Sequence, residues 1–472
     1  MNRPVCSPAG QHRCIAAVFA WLLLASASVA APPPEPAGAA PVLLTAHLNP
    51  IWTSPLTRDL AEPALWPTTG FLPGGWAEAS GGALVLLGTM YSPGHAERLI
   101  LRNAERVGPE AAVPLVLPTS EPAGVQRQPG LLFGSRVPNL DRWIGSIAVD
   151  GDGAIWVGGG INFFLDIGSS RHGDAYLAKL DEIGRAVWEQ AYSDGRLLSV
   201  SSIVLRTAGG AIVAGSTFPA DTSWLARVGP DGARLQEWRL GNGKGITVLP
   251  LQDGRILVAG FADGGVAAGT GSYQDAALAA VKAGSYRDDV VAWVLGETGQ
   301  LQGPVSVREG ISQNDAYRGP HSSAGSITMA AAGNAAFVVS KWLNSANPAG
   351  VQVARIGPEG AVTWRQSLPE TIAPMDVRRA FSCSPSIAAL PDGDALVACA
   401  LYGQVQLHRF NGKTGKSRSA SLTPPRCQKG GYRSSASVIA LSDGTVFVLG
   451  TGFGNDGDTG CSWMAQLTFD TE

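Results

Sequence analysis

Apolar residues along this chain fall into short runs, each cut off by a small polar turn. One unit recurs. It starts as an apolar strand, turns at Asp-Gly or a relative, and returns as an apolar strand ending in a small residue. Clear copies occupy 146–158 (SIAVDGDGAIWVG), 246–260 (ITVLPLQDGRILVAG), 386–398 (SIAALPDGDALVA) and 437–450 (SVIALSDGTVFVLG). More degenerate copies occupy 202–215, 326–340 and 81–88. A second hairpin follows several of them, at 175–188, 223–238, 291–302 and 351–364. Its turn reads Gly-Pro-Asp-Gly, Gly-Pro-Glu-Gly or Gly-Glu-Thr-Gly, where Pro presets φ and Gly tolerates positive φ. No segment carries a sustained helical period with capping signals at both ends.

Each unit therefore predicts four short strands running up and down. Such a unit cannot bury both faces alone, and repetition around a ring solves that by closing the sheets radially. The pattern predicts an all-β fold, a seven-bladed β-propeller, with six or eight blades as the alternatives. Closure is predicted from the ends. The last unit shows three clear strands, and the lone apolar strand Val42–Leu48 precedes the first hairpin, so the amino-terminal strand is expected to complete the last blade.

Residues 1–30 read as a signal peptide. Arg3 and Arg13 precede the apolar run 15–24, and Ser28-Val29-Ala30 offers a small-residue cleavage site. The run is too short to span a bilayer. Residues 31–41, rich in Pro and Ala, read as an extended spacer, leaving 42–472 as one propeller domain. The expectation is an exported protein, periplasmic or extracellular, without membrane insertion. Cleavage would leave 33 Lys and Arg against 38 Asp and Glu, a balance that gives no footprint for nucleic acid.

The cysteines beyond the signal are Cys383, Cys399, Cys427 and Cys461. An even number in an oxidising compartment reads as two disulfides, with Cys427–Cys461 and Cys383–Cys399 favoured and Cys383–Cys427 as the rival. No Cys-x-x-Cys occurs, so thiol-redox chemistry and haem attachment have no support.

Four strands in order sort the loops into two rims. The short Gly-rich turns share one rim. The opposite rim takes the long and variable loops, among them 50–80, 118–141, 162–173, 262–288, 309–324 and 370–382. Variable loops on a rigid scaffold are where binding surfaces are built. Arg142, Arg171, Tyr317, Arg318, Arg379 and Arg433 are the binding residues predicted there, because Arg and aromatic side chains dominate binding hot spots. The plain alternative is that these side chains pair and pack locally. The expected partner is a protein or a carbohydrate.

Catalytic signals are weak. Asp150-Gly151-Asp152-Gly153 and Asn455-Asp456-Gly457-Asp458 have the density of a cation loop but lack its distal Glu, so they read as turns. The histidines show no metal-ligand spacing, and no metal or cofactor is expected. No nucleophile elbow, phosphate loop or zincin helix appears. Trp188, Trp238 and Trp364 sit near turns, as in quinoprotein propellers, but without their vicinal Cys pair. They read as blade-to-blade packing residues. A glycan-active hydrolase or lyase at the channel mouth is the competing function, with Asp166, Asp288, Asp315 and Asp376 as candidate acids.

The phrases Asp174-Ala175-Tyr176-Leu177-Ala178-Lys179-Leu180-Asp181, Gly184 and Trp188, with Gly209-Gly210-Ala211-Ile212-Val213-Ala214-Gly215-Ser216-Thr217, resemble a family of exported bacterial propeller repeats. The resemblance implies the fold and export. It implies no activity.

Overall fold

Every regular element among the described residues is a β-strand. The computed structural model describes residues 42–43, 46–57, 71–79, 83–92, 95–102, 113–116, 142–164, 172–181, 186–192, 197–217, 223–240, 243–264, 287–308, 327–341, 351–368, 385–401, 404–424, 433–453 and 459–469. These strands form seven sheets. In chain order they span 71–116, 142–192, 197–239, 243–308, 327–367, 386–422 and 433–469. The first six each take four consecutive strands in order, each paired antiparallel with the next.

The first strand of each sheet lies against the first strand of the next, from the first sheet through to the seventh. First strands are therefore innermost and fourth strands outermost. The seventh sheet in turn touches the innermost strand of the first, Phe71–Ala79. There the Glu78 carboxylate accepts hydrogen bonds from the Ser442 N–H, at 2.9 and 3.1 Å, and from the Ser442 hydroxyl, at 2.6 Å. Sheets arranged radially and closed on themselves make a β-propeller.

Closure follows the expected principle with different boundaries. The strand completing the seventh sheet is Ala46–Thr57, antiparallel to Thr459–Phe469. Val42–Leu43 instead adds a parallel edge to the sixth sheet, opposite Arg418 and Ser419. The amino-terminal segment thus ties two sheets. Part of the stretch 50–80 read as a rim loop is strand: residues 50–57 lie in this outer strand and Phe71–Ala79 opens the first sheet. Pro50, Pro55, Pro73, Gly74 and Gly75 disguise the alternation, and the register shifts between Pro50 and Trp52 and between Pro73 and Gly75.

The short turns share one hydrogen-bond pattern. In eight of them, among the described residues, the glycine N–H donates to the carbonyl three residues earlier, while that earlier residue's N–H donates to the carbonyl four residues later. Gly393, for example, bonds to Leu390, and Leu390 to Asp394. This is a tight turn closed by a residue of positive φ, the role the repeated Asp-Gly supplies. The aspartate adds a cap: Asp231, Asp253, Asp392 and Asp443 each accept, through Oδ1, the N–H two residues on.

The core lies between sheets rather than within them. Trp156, Ala175 and Leu177 of the second sheet pack with Val200, Val213 and Trp224 of the third, and the same holds at each later junction. At the inner strands the seam is closed by the serine that opens the repeat. Ser202 Oγ accepts from Val248 N–H at 3.2 Å, and Ser386 Oγ accepts from Val438 N–H at 3.2 Å, each binding the first strand of the following sheet. The expected role of the repeated tryptophans is borne out at the outer strands. Trp188, Trp238 and Trp364 donate their indole N–H to the carbonyls of Pro230, Gly299 and Gly412, each in the last turn of the following sheet. The turn must let the ring approach. A Cβ on Gly232, whose φ is +85, would lie 2.9 Å from the Trp188 ring.

Candidate binding surface

The strand order fixes what each rim presents. On the rim of short turns, several described charges hold turns together. Asp150 Oδ1 accepts from the N–H groups of Asp152 and Ala154, and Oδ2 meets Lys179 Nζ at 2.9 Å. Partial burial alone pushes the Asp150 carboxyl up, but Lys179 and the Ala154 N–H outweigh it and hold the group below the usual carboxylate range. The Asp150–Gly153 run is therefore a turn whose carboxylate is saturated by the protein itself. Asp253 is held low by Arg255, whose Nη2 lies 2.6 Å away. Arg409 is gripped by Asp392 and by Asp394, the latter at 3.0 Å.

On the opposite rim, Arg142 and Arg433 each begin an innermost strand. Arg142 opens the innermost strand of the second sheet, opposite Ile161, and Arg433 opens that of the seventh, opposite Phe453. Both are thus strand residues rather than loop residues, at the end of the strand away from the short turn. Arg171, Tyr317, Arg318 and Arg379 lie outside the described residues, as do Cys383, Cys427 and the 455–458 run. Cys461 lies in the seventh sheet opposite Pro55 and Gly452. Cys399 is buried in the sixth sheet and is not a free thiol. Of the candidate acids, Asp288 is a strand residue opposite Asp263. Asp166, Asp315 and Asp376 lie outside the described residues.

One of the histidines without metal-ligand spacing, His408, stands out in the structure. His408, in the strand Gln404–Phe410, is 2 % exposed and its Nδ1 lies 2.8 Å from Ser419 Oγ. A base and a hydroxyl at that distance have the geometry of an activated nucleophile. Burial argues against that use: it lowers the His408 pKa to about 4, too weak a base to take a proton at neutral pH. The pair is better described as a neutral cross-strand link beneath the edge to which Val42–Leu43 adds. The only signal in the sequence is that His408 continues an alternation of Gln404 and Gln406, which marks a face and not a function. Among the described residues, no group of His, Cys, Asp or Glu is arranged to hold a metal ion.

Comparison with solved structures finds similar chains at low identity. The Dos1 propeller is 10 % identical, with 89 % of this chain and 95 % of that chain covered and a TM-score of 0.44. The GH93 α-L-arabinofuranosidase of Fusarium graminearum with arabinobiose is 13 % identical, with 85 % and 95 % covered and a TM-score of 0.43. The NanB sialidase from Streptococcus pneumoniae is 10 % identical, with 87 % and 70 % covered and a TM-score of 0.42. No protein-family model and no curated protein matches the chain.

Proposed function

We propose that this protein is an exported propeller that works by binding, holding a protein or cell-envelope glycan at the rim where its inner strands begin. The observation that carries the reading is that Arg142 and Arg433 each open an innermost strand at that rim. The opposite rim supports it by contrast, since Asp150, Asp231, Asp394 and Asp443 there are engaged in turn caps and ion pairs. Arg171, Tyr317, Arg318 and Arg379 extend the surface on this reading, and disulfides Cys383–Cys399 and Cys427–Cys461 staple its loops. Export by cleavage after Ala30 and descent from the exported bacterial propeller repeats belong to the same proposal.

The test is co-sedimentation of the purified mature protein with an isolated cell-wall fraction. An R142E/R433E variant with unchanged circular dichroism should bind at least about tenfold more weakly, because reversing interface charges adds repulsion to the lost attraction. Unchanged binding by that variant would refute this placing of the surface, and no binding by the wild type would refute the glycan partner. Mass spectrometry of the exported chain should find Ala31 at its amino terminus.

A further inference from the structure

The turn joining Gln404–Phe410 to Ser417–Leu422 in the sixth sheet carries a chemically labile pair, Asn411-Gly412. A glycine nitrogen that follows an asparagine has no Cβ to hinder it and can attack the asparagine side-chain amide. The chain has one other such pair, Asn242-Gly243, and a lysine follows each. Packing fixes both residues of the Asn411 pair. A Cβ on Gly412 would collide with the carbonyl oxygen of Gly393, in the first turn of the same sheet. Asn411 is exposed, and its Oδ1 accepts from the N–H groups of Lys413 and Thr414, at 3.2 and 3.0 Å, and from the Thr414 hydroxyl at 2.9 Å. It caps this turn as Asp231, Asp253, Asp392 and Asp443 cap others.

The same turn restrains the reaction. Attack requires the Gly412 nitrogen to shed its proton and swing onto Asn411 Cγ. Instead its N–H donates to Asp394 Oδ1 at 3.0 Å, and Asn411 Nδ2 donates to the same oxygen at 3.4 Å. Asp394 is itself anchored, since Arg409 Nε donates to its Oδ2 at 3.0 Å. One carboxylate oxygen thus holds both the attacking nitrogen and the leaving amide, and its negative charge opposes loss of the Gly412 proton.

We infer that Asn411 is a deamidation site that the fold restrains through Asp394, and that its conversion unfastens the fifth sheet from the sixth. In the reaction the Gly412 nitrogen gives up its proton and bonds to Asn411 Cγ, and Nδ2 takes up a proton and leaves as ammonia. Water then opens the succinimide at either carbonyl, giving aspartate or isoaspartate. Aspartate sets a second carboxylate where Nδ2 donated to Asp394. Isoaspartate lengthens the backbone by one carbon beside Gly412. Either product disturbs the Gly412 carbonyl, which accepts the Trp364 indole N–H at 3.0 Å. The inference concerns the short-turn rim and goes beyond the binding function proposed above.

The test is peptide mapping by mass spectrometry after incubation of the purified protein at mildly alkaline pH, folded or in guanidinium chloride. Asn242-Gly243 is read in the same digest. In denaturant the two pairs should convert at similar rates, because the residues that follow are the same. In the folded wild type, Asn411 should convert at least about tenfold more slowly than in denaturant, since attack requires local opening of the turn. Asp394→Ala should restore most of the denatured rate at Asn411 and leave the rate at Asn242 unchanged. Where Asp394→Ala fails to fold, hydrogen exchange of the wild type decides, and the Gly412 amide should be protected. The urea midpoint of aged wild type should fall as the converted fraction rises. Trp364→Phe, which already lacks the indole donor, should lose less on ageing. Folded wild type that converts at the denatured rate, folded Asp394→Ala that converts no faster than wild type, an unprotected Gly412 amide, or converted protein with an unchanged midpoint would each overturn the inference.

Discussion

Between the second and sixth sheets, outer strands are joined in two ways. Between the second and third, third and fourth, and fifth and sixth sheets, a tryptophan on the outermost strand reaches forward to a turn carbonyl of the next sheet. Between the fourth and fifth the direction reverses. The outermost strand of the fourth sheet, Leu301–Arg308, has no tryptophan. Arg365 of the fifth reaches back instead, donating from Nε to Val307 O at 2.6 Å and from Nη2 to Ser306 O at 2.7 Å. Each junction satisfies outer carbonyls with a side-chain donor. Only the tryptophan junctions add a ring to the packing between sheets, so the two kinds should differ in what they contribute to stability.

The largest separation should come from Trp364. Its ring stacks 6.1 Å from Phe410 of the sixth sheet and lies 5.9 Å from Phe337 of its own, so it spans the gap between them. Trp364→Ala removes the ring and the donor together and should cost about 3–4 kcal/mol in urea unfolding. Trp364→Phe keeps most of the stacking and should cost about 1 kcal/mol, the net value of one hydrogen bond. Equal losses for the two variants would show that the donor, and not the ring, holds this junction.

Titration loosens the sixth sheet without touching either junction. His408 stays neutral in the folded protein down to about 4, whereas an unfolded histidine takes its proton near 6.5. Between those values the unfolded state binds more protons, so stability is full above about 6.5 and falls as pH drops towards 4, by up to about 3 kcal/mol. Denaturant midpoints measured across that range should show the slope in the wild type and lose it in His408→Gln. A slope that persists in the variant would assign the acid sensitivity to other groups.

The Arg365 junction should yield less. Its guanidinium is exposed, so losing its two bonds in Arg365→Met should cost about 1.5 kcal/mol. Arg365→Lys should rescue little, because an ammonium cannot reproduce the fork that reaches two successive carbonyls. A loss as large as that of Trp364→Ala would erase the distinction between the junctions.

The same contrast explains what the sequence made legible. The tryptophans were readable because each precedes a turn in a recurring unit and no catalytic pattern claims them. Arg365 was not, because an arginine beside a repeat tryptophan looks like any solvated charge until the neighbouring strand is placed beside it. The strand Phe71–Ala79 was hidden by Pro73-Gly74-Gly75, which break the period-two signal while the backbone continues with a shifted register. For the candidate surface, sequence supplied the residue types and the rim. Only the strand boundaries showed that Arg142 and Arg433 each open an innermost strand. The seam serines were in plain view as the first letter of the repeat. Their role depends on a neighbour more than forty residues away, 46 for Ser202 and 52 for Ser386, which periodicity cannot supply.

The junction between the seventh and first sheets is of a third kind and should show the smallest effect. Here a carboxylate, not a ring or a guanidinium, crosses the gap, and Glu78 caps both the N–H and the hydroxyl of Ser442. The contact is exposed and water competes for every bond in it, so Glu78→Gln should cost about 1 kcal/mol or less. The ring is also closed independently, since eleven register pairs join Ala46–Thr57 to Thr459–Phe469. Ser442→Ala should match Glu78→Gln, and the double variant should cost no more than either alone, because both break one interaction. Additive losses in that cycle, measured by urea unfolding, would mean that the two residues act separately. A loss approaching that of Trp364→Ala would make this carboxylate, rather than the amino-terminal strand, the principal fastening of the ring.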